Sequence, residues 1–286
     1  MYPRIAQRVF NENWLILPET HHAIQEALLA HIEGRHPGGI DSSARMAVPF
    51  TTKAVGNGLT KHPSPGNRVW TRGRLAVIPV WGVIGQHLSN LEASCGGFDV
   101  ARLEHDISVV ANDTAIRNVM FDFNTPGGTV TGVPEAGRMI AQLGKEKNTF
   151  GFTDSMSASA GYWLMSQTNA VYATESAGIG SIGVYAAFLD RTEAMKTRGE
   201  KMHIIKAGKH KAMGAPGNPL TDEDVAMIQA QVDRDYAAFT KAILSKRPDV
   251  KSETMQGQMF RTPEARAAKL VDATVTSLSA LISKLG

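Results

Sequence analysis

The sequence predicts an α/β fold of repeated βαβ units preceded by an N-terminal helical extension. Three observations lead there. From Arg74 onward, short apolar runs alternate with stretches whose apolar residues recur at helical spacing. Between His36 and Asn67 the composition shifts to Pro, Gly, Ser and Lys, which divides the chain into residues 1–68, an extension with its linker, and residues 69–286, the main domain. The 286 residues are 43% hydrophobic and 20% charged, ordinary for a globular chain with a sizeable core.

The elements follow in order. Residues 14–33 read as one amphipathic helix, with Ile24, Leu28, Leu29 and Ile32 on one stripe. His62-Pro-Ser-Pro-Gly-Asn67 is linker chemistry. Leu75 to Ile84 predicts a buried strand, Asp99 to Ala111 a helix, and Arg117 to Phe123 a second strand. A turn at Asn124-Thr-Pro-Gly-Gly128 precedes a helix over 132–144 and a strand over Thr149 to Thr153. Ala160 to Ser166 predicts a helix, Ala170 to Ala173 a strand, Glu193 to Arg198 the end of a helix, and Met202 to Ile205 a fifth strand. Thr221-x-x-Asp224 is a capping box with Asp in place of Glu, opening a helix that carries Val225, Ile228, Val232, Phe239 and Ile243. Thr262-Pro263 reads as an N-cap followed by proline at the first helical position.

Composition excludes several classes. The net charge is only +3 and no Lys/Arg block marks a nucleic-acid surface. Cys95 is the one cysteine, so an internal disulfide is impossible and a reducing compartment fits. The nine histidines show no metal-ligand spacing, and the expectation is no metal and no cofactor. Arg4, Arg8, Asn11, Glu12 and Asn13 interrupt any signal-peptide core, and no window reaches the ~18 apolar residues of a membrane span. A soluble protein of a bacterial-type cytoplasm is expected.

Two stretches carry candidate chemistry. Ligands of an open α/β sheet gather at the carboxyl ends of strands. Asn124-Thr-Pro-Gly-Gly128 lies at one such end, and its glycine N–H groups could face an anion or a polarised carbonyl. Asp154-Ser-Met-Ser-Ala-Ser-Ala-Gly-Tyr-Trp163 lies at another, with small residues around Ser159 at the start of a helix. On spacing alone, a tight turn and an N-cap serine are the commoner readings of these two stretches. The second is not a Gly-x-Ser-x-Gly elbow, because Ser157 holds the first glycine position.

Taken together, Ser-Ala-Ser159-Ala-Gly-Tyr-Trp, Gly180-Ser-Ile-Gly-Val184 and Lys206-Ala-Gly-Lys-His-Lys211 resemble the signal-peptide-peptidase A family of serine peptidases, S49. Asn-Thr-Pro-Gly-Gly128 upstream fits the same family, as do Phe260-Arg-Thr-Pro-Glu-Ala265 and Leu270-Val-Asp272 downstream. The resemblance runs over roughly residues 72–275 and is nearest to the capsid-assembly proteases of tailed phages. It implies a ClpP/crotonase-like fold and a Ser–Lys dyad. Ser159 would be the nucleophile, Lys211 the general base and Ser181 the residue orienting it. The Gly128 and Ala160 N–H groups would form the oxyanion hole. A lysine acts as a base only when neutral, which calls for an apolar, acid-free setting. Ala207 to Pro216 contains no acid. The resemblance further implies protein or peptide substrates, among them phage scaffold, portal or major head protein, and a homo-oligomer. The expected location is the host cytoplasm or the procapsid. The chain stops at Gly286, so a scaffold would be a separate protein.

Alternatives stay open. Lys206 and Lys209 compete with Lys211 as base, and Ser155 and Ser157 with Ser159 as nucleophile. His210 allows a Ser–His–Asp arrangement. Other readings are a general cytoplasmic peptidase of prophage or host, a catalytically silent shell protein, and an acyl-CoA enzyme of the crotonase fold. The last would need paired acids beside the glycine turns, and none are found there.

Overall fold

A computed structural model describes residue 9 and residues 12–32, 50–94, 96–215 and 217–286. The strands before the Thr125–Pro126 turn are β1 (Asn13–Ile16), β2 (Thr60–Lys61), β3 (Trp70–Arg72), β4 (Leu75–Trp81), β5 (Val83–Gly85), β6 (Gly97–Asp99) and β7 (Asn118–Asn124). After it come β8 (Gly127–Thr129), β9 (Asn148–Thr153), β10 (Met156–Ala158), β11 (Ala170–Ala173), β12 (Gly178–Gly180), β13 (Tyr185–Ala186), β14 (Met259–Arg261) and β15 (Ala273–Thr274). The helices are α1 (Pro18–Ile32), α2 (Phe50–Gly56), α3 (Asn90–Ser94), α4 (Val100–Asn112) and α5 (Val133–Glu146). They continue with α6 (Ala160–Ser166), α7 (Thr192–Thr197), α8 (Asp222–Lys246), α9 (Thr262–Ala267) and α10 (Leu278–Leu285).

The largest sheet has the order β15-β11-β9-β7-β4-β3-β2. Every pair from β15 to β4 is parallel, and β3 and β2 add antiparallel strands at one edge. This is the predicted α/β architecture. Its central strands are apolar on both faces because both faces are covered. Ala76, Ile78, Val80, Val119, Phe121 and Phe123 join a core with residues of α4, α5, α6 and α8. Their neighbours Leu75, Val77, Met120 and Phe152 point the other way and meet Ala54 of α2, Leu59, and Leu278, Leu281 and Ile282 of α10. Each such side chain is worth about 1.5–3 kcal/mol when fully buried.

Local chemistry sets the helix starts. Asp99 caps α4 by accepting from Ala101 N–H at 3.0 Å. Thr221 and Asp224 form the expected capping box of α8. At α9 the cap is Arg261 rather than Thr262, whose hydroxyl instead donates to Thr174 O at 2.6 Å.

Three expectations are corrected. Residues 14–33 are not one helix: β1 occupies Asn13–Ile16 and α1 begins at Pro18. Proline needs no N–H at a helix start, so it marks the boundary. Residues 50–67 do not behave as a linker, since α2 covers the second face of the sheet and β2 extends its edge; the preceding part of that stretch, 36–49, lies outside the described residues, as does Cys95. Met202 to Ile205 forms no strand; Ile205 is 99% exposed and has no ladder to join.

Candidate active site

The two glycine- and serine-bearing stretches are fastened together by backbone hydrogen bonds. Thr125 N–H donates to Met156 O at 3.0 Å, and Ala158 N–H donates to Thr125 O at 3.1 Å. The Thr125 hydroxyl donates to Gly82 O at 2.6 Å and accepts from Gly127 N–H at 3.1 Å. The strand end carrying Gly127 and Gly128 is thereby held against β10. In turn β10 runs parallel to β12, with Ala158 opposite Gly180. Ser159 N–H donates to Gly180 O at 2.8 Å, and Ser181 N–H to Gln258 O at 2.7 Å.

Ser159 stands between β10 and α6 with φ 53° and ψ −115°. Among the described residues only five non-glycine residues have positive φ, and Ser159 and Ser181 (φ 52°) are two of them. Such backbone costs of order 1–3 kcal/mol and persists where the surroundings over-determine it, typically at functional sites. The surroundings here are firm. Trp163 N–H closes the first turn of α6 on Ser159 O at 2.9 Å. The Trp163 ring stacks on Phe239 of α8 at 4.7 Å. The Tyr162 hydroxyl donates to Leu270 O at 2.9 Å, and burial pushes that phenol well above the usual range. The helix that positions Ser159 is thus pinned from two sides.

The structure therefore gathers four of the five predicted site residues: Ser159, Ser181, Gly128 and Ala160, with α6 packed on β8. It leaves Lys211 apart. Lys211 lies in a run of turns, its N–H bonded to Gly208 O at 3.1 Å, and its side chain is exposed. No hydrogen bond joins it to Ser159, whose residue is 1% exposed. Its neighbours are engaged elsewhere: Lys206 Nζ donates to Lys209 O at 3.0 Å, and Lys209 Nζ meets Glu223 at 2.6 Å. His210 faces Asp224 at 3.6 Å and Glu223 at 3.9 Å, at the start of α8 rather than at Ser159. Ser157 is buried beside the site with its hydroxyl unpartnered among the described residues.

Two contributors were not read from the sequence. Thr125 lay inside a motif taken only as a turn, although a hydroxyl next to Pro-Gly-Gly is a signal for such a clasp. Gln258 acts through its carbonyl, which no side-chain pattern can announce. Among the described residues no three His, Cys, Asp or Glu side chains cluster to hold a metal, and no helix is long and apolar enough to cross a membrane.

The chain is similar to several known proteins. Capsid assembly protease C of Escherichia phage lambda is 25% identical over 291 residues, covering 98% of this chain and 64% of that protein. The chloroplastic serine protease SPPA of Arabidopsis thaliana is 26% identical over 218 residues, covering 73% of this chain and 32% of that protein. The chain thus spans less than two thirds of the length of these relatives. Among solved structures, the 1510-N membrane-bound stomatin-specific protease aligns with a TM-score of 0.46 and 11% identity, over 75% of this chain and 85% of that one. The family model described as peptidase family S49 matches residues 141–284, half of the chain and most of the elements that frame Ser159. The chain belongs to peptidase family S49.

Proposed function

We propose that this protein is a serine endopeptidase in which Ser159 attacks the substrate carbonyl and Lys211 is the general base. Ser181 orients the lysine, and the Gly128 and Ala160 N–H groups receive the oxyanion. The observation that carries the reading is the strained Ser159 backbone at the junction of β10 and α6, beside the Gly127–Thr129 strand. Lys211 takes the serine proton and returns it to the leaving amine. Lys211 is exposed and makes no hydrogen bond with Ser159, so in this reading the turns around residues 207–214 bring its amine to Ser159 before chemistry. No metal or cofactor enters this mechanism.

The substrates we assign are the scaffold, portal or major head proteins of a phage capsid, cut in the host cytoplasm or within the procapsid. Support comes from the similarity to the lambda capsid assembly protease along 98% of the chain. The test is incubation with the head proteins encoded alongside this chain, followed by mass-spectrometric reading of new N-termini. Fresh termini with the native protein and none with Ser159→Ala support the assignment; identical termini in both overturn it.

The segment bearing Lys211 also exposes apolar side chains. Leu189, Met202 and Ile205 are exposed before it, and Val225 on α8 after it. A second copy covering this surface would desolvate the Lys211 amine while burying them. The expected active species is a homo-oligomer. Light scattering during turnover checks this, and a fully active monomer would contradict it.

Gly128 has a separate, steric requirement. A Cβ there would fall 1.9 Å from Ile84 O and 2.5 Å from Ile84 C, both backbone atoms that cannot rotate away. Gly128→Ala is expected to displace the N–H assigned to the oxyanion, lowering kcat by about 100-fold or more. It should also lower the melting temperature, since β5 and β8 pair there. A peptide assay and a thermal melt check both effects.

A further inference from the structure

The second sheet has the order β13-β1-β8-β5-β6, so β1 is the strand between β8 and β13. It is antiparallel to both, with Leu15 opposite Gly128 and Trp14 opposite Tyr185. The ladder phase is set at its two ends. Leu17 N–H donates to Pro126 O at 3.0 Å, and Val130 N–H donates to Asn13 O at 3.3 Å. Antiparallel pairs alternate between bonded and non-bonded. Leu15–Gly128 is therefore a bonded pair, and the Gly128 N–H faces the Leu15 carbonyl. The approach is tight: a Cβ on Gly127 would fall 2.0 Å from Leu15 O.

Resting on the peptidase reading above, we infer that Asn13–Ile16 is an internal pseudo-substrate. It fills the slot between β8 and β13 that takes an extended peptide, and it must leave before a peptide is cut. Leu15 stands at the residue preceding the scissile bond, because its carbonyl takes the N–H assigned to the oxyanion. Three further observations fit. Ser159 is closed off from solvent in this state. Lys211 is away from it, so an occupied slot coincides with an unassembled dyad. And the strand is held by a few side-chain latches: Asn13 Nδ2 donates to Asp235 Oδ2 at 2.6 Å, and His21 Nδ1 and the Tyr185 hydroxyl lie 2.8 Å apart.

The slot also states what it accepts. With β1 withdrawn, β8 and β13 would present unpaired edges about two strand spacings apart, roughly 10 Å, room for one extended chain bonded on both sides. Trp14, Leu15 and Ile16 are all buried. A peptide with apolar residues at those three places recovers the burial that displacement loses. The substrate class is an extended, apolar segment, with an apolar residue before the cleaved bond.

A disulfide lock tests this in the full chain. Asn13 and Ala186 are cross-strand partners, and the phase above makes them a non-bonded pair with Cα atoms about 4.5 Å apart, within disulfide reach. In a Cys95→Ser background, Asn13→Cys with Ala186→Cys can be compared reduced and oxidised in one sample. The probe is a fluorescein-labelled peptide with the sequence of residues 12–17, read by anisotropy. The reduced protein is expected to bind it, and oxidation to weaken binding at least about tenfold, equivalent to about 1.4 kcal/mol. Equal binding in both states, or binding in neither, overturns the proposal. Hydrolysis of an unstructured protein in the same samples separates the two readings. Gated binding without hydrolysis in either state leaves the slot standing and removes the peptidase assignment; equal hydrolysis in both states overturns the slot. If the double variant does not fold, Leu15→Pro reads the same equilibrium from the other side. It removes the Leu15 N–H from the ladder and is expected to tighten peptide binding, and unchanged or weaker binding overturns the proposal.

Discussion

Ser159→Ala is expected to lower peptide hydrolysis by about four orders of magnitude or more while leaving the melting temperature nearly unchanged. The substitution removes one hydroxyl, and the backbone bonds that shape the site, Ser159 N–H to Gly180 O and Trp163 N–H to Ser159 O, remain. Lys211→Ala should be as inactive, because members of one catalytic unit are not additive, and the double variant should be no worse than either single one. Lys211→Arg should fail too, since a guanidinium stays protonated and cannot accept the serine proton. The exposed position of Lys211 predicts that its two substitutions leave stability almost untouched. Initial rates on a short peptide, with thermal melts as control, check the set. An active Lys211→Ala beside an inactive His210→Ala would move the base to His210.

Lys53→Met is expected to destabilise the fold by about 2 kcal/mol more at pH 8.5 than at pH 5. Asp122 is buried on β7, and burial pushes its carboxyl up to about 7; Lys53 acts against that rise and Asp154 adds to it. Lys53 Nζ lies 3.1 Å from Asp122 Oδ2 and 2.9 Å from Asp154 Oδ2, and Trp81 Nε1 donates to Asp122 at 3.2 Å. The sign follows from proton counts. A folded-state value raised above the unfolded one means that the folded protein holds a proton the unfolded chain has released. The contribution of Asp122 is full below about pH 4 and is lost as pH rises through about 7, about 4 kcal/mol over that window. Without Lys53 the Asp122 carboxyl rises further and stays protonated above pH 7, so the stabilisation gained by ionising beside Lys53, about 1.4 kcal/mol per pH unit above 7, is lost. At pH 5 Asp122 is protonated with or without Lys53, so only the partly exposed Asp154 pair is lost, worth about 0–1 kcal/mol. Urea unfolding at the two pH values measures the difference, and an equal loss at both would discard the ion pair as the cause. The same contact bears on truncation. A chain beginning at Asn67 loses the Lys53 partner of Asp122, and Ala54 and Leu59 from the second core, and is expected to melt at a lower temperature, measured by calorimetry.

Where local pattern and tertiary environment agree, the amino-acid sequence was sufficient. Helix α6 and strand β11 fall on the predicted residues, α4 lies within a residue of its predicted span and α8 starts at its predicted capping box, because periodicity and capping are short-range properties. Ser159, Ser181, Gly128 and Ala160 were legible as candidates through motifs in a fixed order, and the fold brings them together. The rest depended on partners distant in sequence. Trp14 to Leu17 is a short apolar run that suits a strand or a helix equally; only the open edges of β8 and β13 make it a strand. Residues 50–61 look like linker until Leu75, Val77 and Met120 are seen to need cover on the second face of the sheet. Met202 to Ile205 has strand composition but no neighbouring edge, so it stays irregular. Residue identities and their spacing were thus enough for the class of fold, while Ser159 stood out as a candidate only through the family resemblance of several motifs in order. Which strand pairs beside Gly128 was decided by contacts across more than a hundred residues and by the side on which each sheet edge was left unpaired.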